Sequence, residues 1–308
     1  MAQLRPWALL SPYALNARIF DCPRPSHFHR SFHPHYPDGK GFVSKISEQI
    51  SLRRGGPANL SATMCQSAPS NDLPVRESEI CDFFISPEIE RMKRQICDIG
   101  RRMWQRSYVD GNGGNLAVRV APNLVLCTPT MVSKGFMEPS DLCLVDLDGR
   151  QLAGTGRRTS EILMHLGILK RQPRAQATVH GHPPYGTAFG IAGLLPPTGL
   201  VSEYELFVSA VIAPYHTPGT SELGDEVASL AQGHNTILMA NHGVVSWSQN
   251  HLEDAYFKLE IFEACCQTYL IAIQLNRELS LISGGHLQQL LELRRRFGVP
   301  DPRMISEV

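Results

Sequence analysis

Between Ser86 and Leu275 the apolar residues change period repeatedly, and this alternation confines the chain to a mixed α/β domain. Met92, Ile96, Ile99 and Met103 repeat at spacings of four, three and four, which predicts an amphipathic helix. Ser86 suits its N-cap and Pro87 its first helical position. From Asn115 the pattern turns strand-like: Asn115–Val120 and Leu124–Cys127 flank an Ala-Pro-Asn hairpin signal. Leu142–Leu147 is another strand, closed by Asp148-Gly149. A helix over 160–170 follows, capped by Thr159 or Ser160 and striped by Ile162, Leu163, Leu166 and Leu169. Then come a strand at Ala177–His180, a helix around 185–191, a strand at Ser209–Ala213 and a helix at Ser221–Ala231. Thr236–Ala240 reads as a buried strand that Val244–Trp247 continues beyond Asn241-His242-Gly243, and a long helix runs from Glu253 to Leu275. Strands and helices interleaved over about 220 residues without internal repeats indicate one α/β domain. That length buries a core without disulfides or structural metals.

The domain spans residues 81–308, the last part as a C-terminal helical tail. Residues 1–80 differ: they carry Pro, Ser, Gly, Arg and His without periodicity and are expected to be a disordered extension. Their histidines His27, His29, His33 and His35 read either as a metal-binding tract or as accidents of a tail. Lys plus Arg and Asp plus Glu number 29 each, so no overall charge favours nucleic acid or an anionic membrane. None of the eight cysteines forms a CxxC pair, as expected for reduced, cytoplasmic usage. No apolar run approaches the ~20 residues that span a bilayer, and Pro12 breaks the mildly apolar Trp7–Leu15 stretch, which argues against a secretion signal. A soluble cytoplasmic protein is the expectation.

The chemistry concentrates around His180 and His182. Residues i and i+2 of a strand project from one face, so the two imidazoles can converge. Alone, such a pair reads more readily as two satisfied histidines at a strand end. Asn241-His242-Gly243 adds a third imidazole at the end of another apolar strand, and Glu161 adds a carboxylate in the first turn of its helix. Three histidines with a carboxylate or water form a catalytic type of zinc site, because one position is open to substrate. Such a metal polarises a carbonyl and stabilises an enediolate. His165 lies one turn beyond Glu161 and reads either as a supporting residue or as surface. The loop Gly111-Asn-Gly-Gly-Asn115 lets backbone N–H groups approach an anion, or is a plain turn. Thr128-Pro-Thr130, Thr159-Ser160, Lys134 and Arg158 supply further donors and positive charge, so these segments together can cradle a phosphate.

The motif order resembles the class II aldolase/adducin family, whose enzymes include L-fuculose-phosphate aldolase. It runs Gly-rich Asn loop, Thr-Pro-Thr, Ser-Glu opening a helix, Val-His-Gly-His, Ala-Pro-Tyr followed by Gly-Thr, and Asn-His-Gly. The resemblance covers residues 88–275. It implies a three-layer α/β/α fold with a central mixed sheet, a C4 homotetramer with active sites at subunit boundaries, and one zinc ion per subunit. Carried over by position, His180, His182 and His242 are the implied metal ligands, with Glu161 the acid/base that also ligates the metal when substrate is absent. Asn112, Asn115, Thr130, Thr159 and Ser160 are the implied phosphate-binding residues, and Tyr204 the implied catalytic tyrosine. The sequence departs from the family pattern at Met131, where the phosphate aldolases often have Gly, at Asn112 in place of a hydroxyl residue, and at Thr159 in place of Ser. Related pentulose-phosphate epimerases carry Asp where this chain has Glu161, which tilts the reading toward aldol cleavage. The implied reaction is retro-aldol cleavage of a ketose, as a sugar or sugar 1-phosphate. The alternatives are an epimerase, dehydratase or decarboxylase of the same family, or an adducin-head-like interaction module; the three retained histidines weigh against the last.

Overall fold

The structure is a computed structural model and describes residues 77–276 and 278–299. The expectations for the extension up to residue 76, its histidine tract included, lie outside the described residues. A helix not expected from the sequence, α1 (Glu77–Phe84), precedes Ser86; its Ile80 is buried, and Phe83 and Phe84 pack on the core. α2 (Pro87–Gln105) starts at the expected place, with Pro87 in its first turn.

Four strands follow: β1 (Asn115–Ala121), β2 (Leu124–Cys127), β3 (Cys143–Asp146) and β4 (Gln151–Ala153). After α3 (Ile162–Arg171) come β5 (Ala177–Gly181), α4 (Pro184–Ala192), α5 (Ser202–Phe207), β6 (Ala210–Ala213) and α6 (Ser221–Leu230). β7 (Thr236–Met239), β8 (Gly243–Ser248), α7 (Leu252–Leu275) and α8 (Gly284–Arg296) complete the described chain. One mixed sheet has the order β4-β3-β2-β1-β5-β8-β7-β6, and its neighbours are antiparallel except β6 and β7.

The period-two alternation builds the layers. Leu116, Val118 and Val179 pack with α2 and α7 on one face. Ala117, Val245 and Trp247 pack with α3 and α6 on the other. A third cluster, under α4, α5 and the far half of α7, joins Leu238 and Val244 to Phe189, Tyr204 and Phe262. The three-layer α/β/α arrangement expected from the sequence is therefore present. Among the described residues no helix is long and apolar enough to cross a membrane.

One expectation is corrected. Val244–Trp247 does not continue the strand before Asn241; the chain reverses there. Met239 pairs with Gly243, Asn241 takes φ 56°, and β8 returns antiparallel to β7. Asparagine tolerates this left-handed conformation better than most residues, so Asn241 permits the reversal.

Candidate metal centre

Three elements bring the imidazoles together at one end of the sheet. His180 is fully buried in β5 and lies opposite Asn115 of β1 and Val245 of β8. His182 follows just past the strand end, where its backbone N–H donates to Tyr108 O. His242 occupies the β7–β8 turn, and its N–H donates to Met239 O. The ring centroids lie 5.0 Å apart for His180–His182, 4.8 Å for His180–His242 and 5.4 Å for His182–His242. One ligand atom from each ring falls within 4.8 Å of the others. Two glycines make room. A Cβ on Gly243 would lie 2.7 Å from His182 Cδ2 and 2.5 Å from Gly181 O, and one on Gly113 would lie 2.9 Å from His182 Cε1.

The tautomers follow from the remaining ring nitrogens. His180 Nδ1 stands 2.9 Å from Val244 O and must donate to it, which leaves Nε2 as a lone pair. His182 Nδ1 lies 2.7 Å from Asp110 Oδ1 and donates to that carboxylate, so its Nε2 also faces inward. Burial lowers the affinity of His182 for a proton, reinforced by His180 and opposed by Asp110. Burial likewise lowers His242 to about 4, again with His180 reinforcing and Glu161 opposing.

Glu161 faces these rings. It occupies the N-cap position of α3, one residue earlier than a first-turn acid would, and its N–H donates to Thr159 Oγ1 at 3.2 Å. Its Oε2 accepts from Asn115 Nδ2 at 2.7 Å and stands 3.4 Å from His180 Nε2; its Oε1 stands 3.2 Å from His242 Nε2. Burial opposes the charge, but His180, the Asn115 amide and His242 together hold the carboxyl well below the usual carboxylate range. Glu161 Oε1, His180 Nε2, His182 Nε2 and His242 Nδ1 are buried without a hydrogen-bond partner. Buried polar atoms are rarely left so. Three imidazoles within ligand distance of one another, two of them beside the Glu161 carboxylate, fit a divalent cation with nitrogen and oxygen ligands.

The expected phosphate-binding residues lie on adjoining segments. Thr159 N–H donates to Thr128 O and Thr130 N–H to Arg157 O, which sets the two threonine segments side by side. Lys134, nearly fully buried, donates to Asn112 O and Val132 O and so ties the Gly-rich loop to the segment after Thr130. Burial lowers its amine to about 8, with Glu161 opposing. Ser160 and Asn112 are exposed, and Thr159 is buried. The amide of Asn112 contacts Met131 Sδ at 3.0 Å. Asn115 is placed differently from the rest: its side chain is buried and faces Glu161 and His165. Tyr204 lies on α5 in the third apolar cluster, its ring 6.4 Å from that of Phe262.

Two further residues belong to this neighbourhood. Asp110 is 72 positions from its partner His182 and sits in a run that reads as a turn, so no local pattern signals it. His165, left open between support and surface, is fully buried on the α3 side of the sheet.

Known proteins resemble this chain in sequence and in fold. Residues 94–270 match the family described as Class II Aldolase and Adducin N-terminal domain. An L-fuculose phosphate aldolase of Methanococcus maripaludis is 36% identical over 175 residues, covering 56% of this chain and 93% of that protein. A 3-oxo-tetronate 4-phosphate decarboxylase of Haemophilus influenzae is 33% identical over 168 residues, covering 53% of this chain and 80% of that protein. The crystal structure of YgbL from Escherichia coli superposes with a TM-score of 0.60 at 26% identity, covering 65% of this chain and 98% of that one. Because the family match takes in every strand of the sheet and all three clustered histidines, this chain belongs to the class II aldolase and adducin family.

Proposed function

We propose that the protein is a zinc-dependent carbon–carbon lyase that cleaves a ketose, as its 1-phosphate, by retro-aldol chemistry. The observation that carries this reading is the convergence of His180, His182 and His242 within ligand distance of one another, with the Glu161 carboxylate beside two of them. The three histidines would hold the ion. When bound, it supplies Lewis acidity that stabilises the enediolate left as the C–C bond breaks. Glu161, ionised at rest, acts as a base first: it takes the proton of the substrate hydroxyl, and that proton then serves the enediolate carbon. Asn112, Thr130, Thr159 and Ser160 would receive the phosphate, with Asn115 at the inner edge of that pocket. Tyr204 would assist the aldehyde oxygen. The same reading takes the protein as a homotetramer; Trp104 and Phe136, packed edge to face at 5.0 Å and both exposed, are apolar surface of the kind a second copy covers.

A second reading has its own support, because relatives in both Haemophilus influenzae and Escherichia coli are named 3-oxo-tetronate 4-phosphate decarboxylases. Loss of carbon dioxide from a 2-hydroxy-3-oxo acid leaves the same kind of enediolate, and Glu161, ionised at rest, would then have to take a proton from solvent and pass it to the enediolate carbon. Turnover assays with ketose 1-phosphates and 3-oxo acid phosphates, read for dihydroxyacetone phosphate and for carbon dioxide, separate the two. Metal analysis should find about one zinc ion per chain, and the His180→Ala, His182→Ala double variant should lose it. Stoichiometric metal in that variant would sink the site.

A further inference from the structure

His165 plays no part in the chemistry above, yet it is fully buried and both of its ring nitrogens are engaged. Its Nε2 lies 2.5 Å from Asn115 Oδ1 and its Nδ1 lies 2.6 Å from Thr178 Oγ1. Asn115 Nδ2 in turn reaches Glu161 Oε2 at 2.7 Å. Three elements thus contribute to one chain of polar groups: β1 through Asn115, β5 through Thr178, and α3 through His165 with Glu161 at its N-cap.

The direction of every link follows from its neighbour. An ionised carboxylate only accepts, so Asn115 must turn its NH2 toward Glu161. That leaves Asn115 Oδ1 facing His165, which must therefore carry its proton on Nε2. Burial pushes the His165 imidazole down to about 3, reinforced by His180 and opposed by Glu161, so the ring is neutral and Nδ1 is a lone pair. Thr178 can fill that lone pair only by donating its hydroxyl proton. The alternative acceptor for that proton, Ala117 O, is 3.5 Å away and cannot compete with a 2.6 Å contact. No link can reverse without leaving a buried group unpaired.

We propose that His165 is a positioning residue: as the Nε2–H tautomer, pinned by Thr178, it fixes the orientation of the Asn115 amide and so holds the Glu161 carboxylate at the metal centre. The last step rests on the proposed role of Glu161, whereas the tautomer does not. An Asn115 amide freed from His165 can turn its oxygen toward the carboxylate, and repulsion then drives Glu161 away from the rings. A histidine that merely fills space between α3 and the sheet requires neither a particular tautomer nor an N–H at that point.

The test uses the full-length protein with 15N-labelled histidine. His165 should show a protonated Nε2 and a bare Nδ1, unchanged from about pH 5 to about pH 9 in the metal-free protein. An Nδ1–H tautomer, or a ring that titrates in that window, overturns the proposal. Zinc affinity, measured by chelator competition, supplies the second arm. His165→Gln keeps an N–H for Asn115 and should stay within about threefold of the parent, whereas His165→Leu should weaken binding roughly tenfold or more. Parental affinity in a folded His165→Leu variant would overturn it, and if that variant fails to fold the 15N spectrum decides. Full turnover in Glu161→Gln would remove the catalytic role of Glu161 and leave the His165 tautomer read in the parent protein standing, so the two readings fail separately.

Discussion

Met131 shows how one residue can report on both strain and specificity. It holds φ 61° although it has a Cβ, and its side chain is exposed. For an L-residue other than Gly, Asn or Asp that conformation costs roughly 1–2 kcal/mol. Glycine removes the strain but adds unfolded-chain entropy worth about 0.4–1 kcal/mol. Met131→Gly should therefore leave the protein equally stable or more stable by up to about 1.5 kcal/mol in urea unfolding. It also releases the Asn112 amide from the methionine sulfur. The KM for a phosphorylated substrate should fall with kcat little changed; an unchanged or higher KM would separate Asn112 from phosphate binding. The sequence marked Met131 as a departure from the family pattern but could not supply its backbone conformation. Asn115 teaches the converse. Its place at a strand start was legible, but which way a strand-end amide points depends on the residue opposite, here His165 on a helix fifty positions away.

At the scale of elements, the β7–β8 hairpin sets the third imidazole against the other two, and Gly243 sets how closely. A Cβ there would meet a backbone oxygen, Gly181 O, at 2.5 Å, and strand-paired backbone cannot yield as a flexible side chain would. Gly243→Ala should separate β8 from β5, costing about 1–3 kcal/mol in denaturant unfolding and lowering the metal content together with stability. Gly233, with open space around its Cβ position, is the control: Gly233→Ala should change stability by no more than about 0.5 kcal/mol and leave the metal in place. Equal behaviour of the two variants would remove the packing argument. Periodicity made the long elements legible, α2 and α7 above all, because many residues repeat one pattern. It failed at the hairpin, because two short apolar runs fit one broken strand or two separate ones equally well. It also missed α5, whose six residues make fewer than two turns.

For the molecule as a whole, the question is how the part outside the family match is joined to the part inside it. The match ends at residue 270, and α8 lies beyond it. Three arginines, Arg294, Arg295 and Arg296, end this helix, and Arg295 and Arg296 are exposed beside Glu292. Arg294 has no exposed surface and donates from Nη1 to both Glu205 O and Val208 O at 2.7 Å. Those carbonyls close the C-terminal end of α5, the helix that carries Tyr204, so α8 anchors that segment from outside the matched region. A guanidinium can serve two carbonyls at once, and methionine fills similar space with no donor. Arg294→Met leaves two buried acceptors without their partner, a cost of about 2–4 kcal/mol, or a Tm lower by roughly 5–10 °C. Arg295→Met removes only an exposed pair and should move Tm by less than about 1 °C. If the two variants melt together, α8 is an appendage; if Arg294→Met alone melts early, the fold that holds the Tyr204 helix extends to α8.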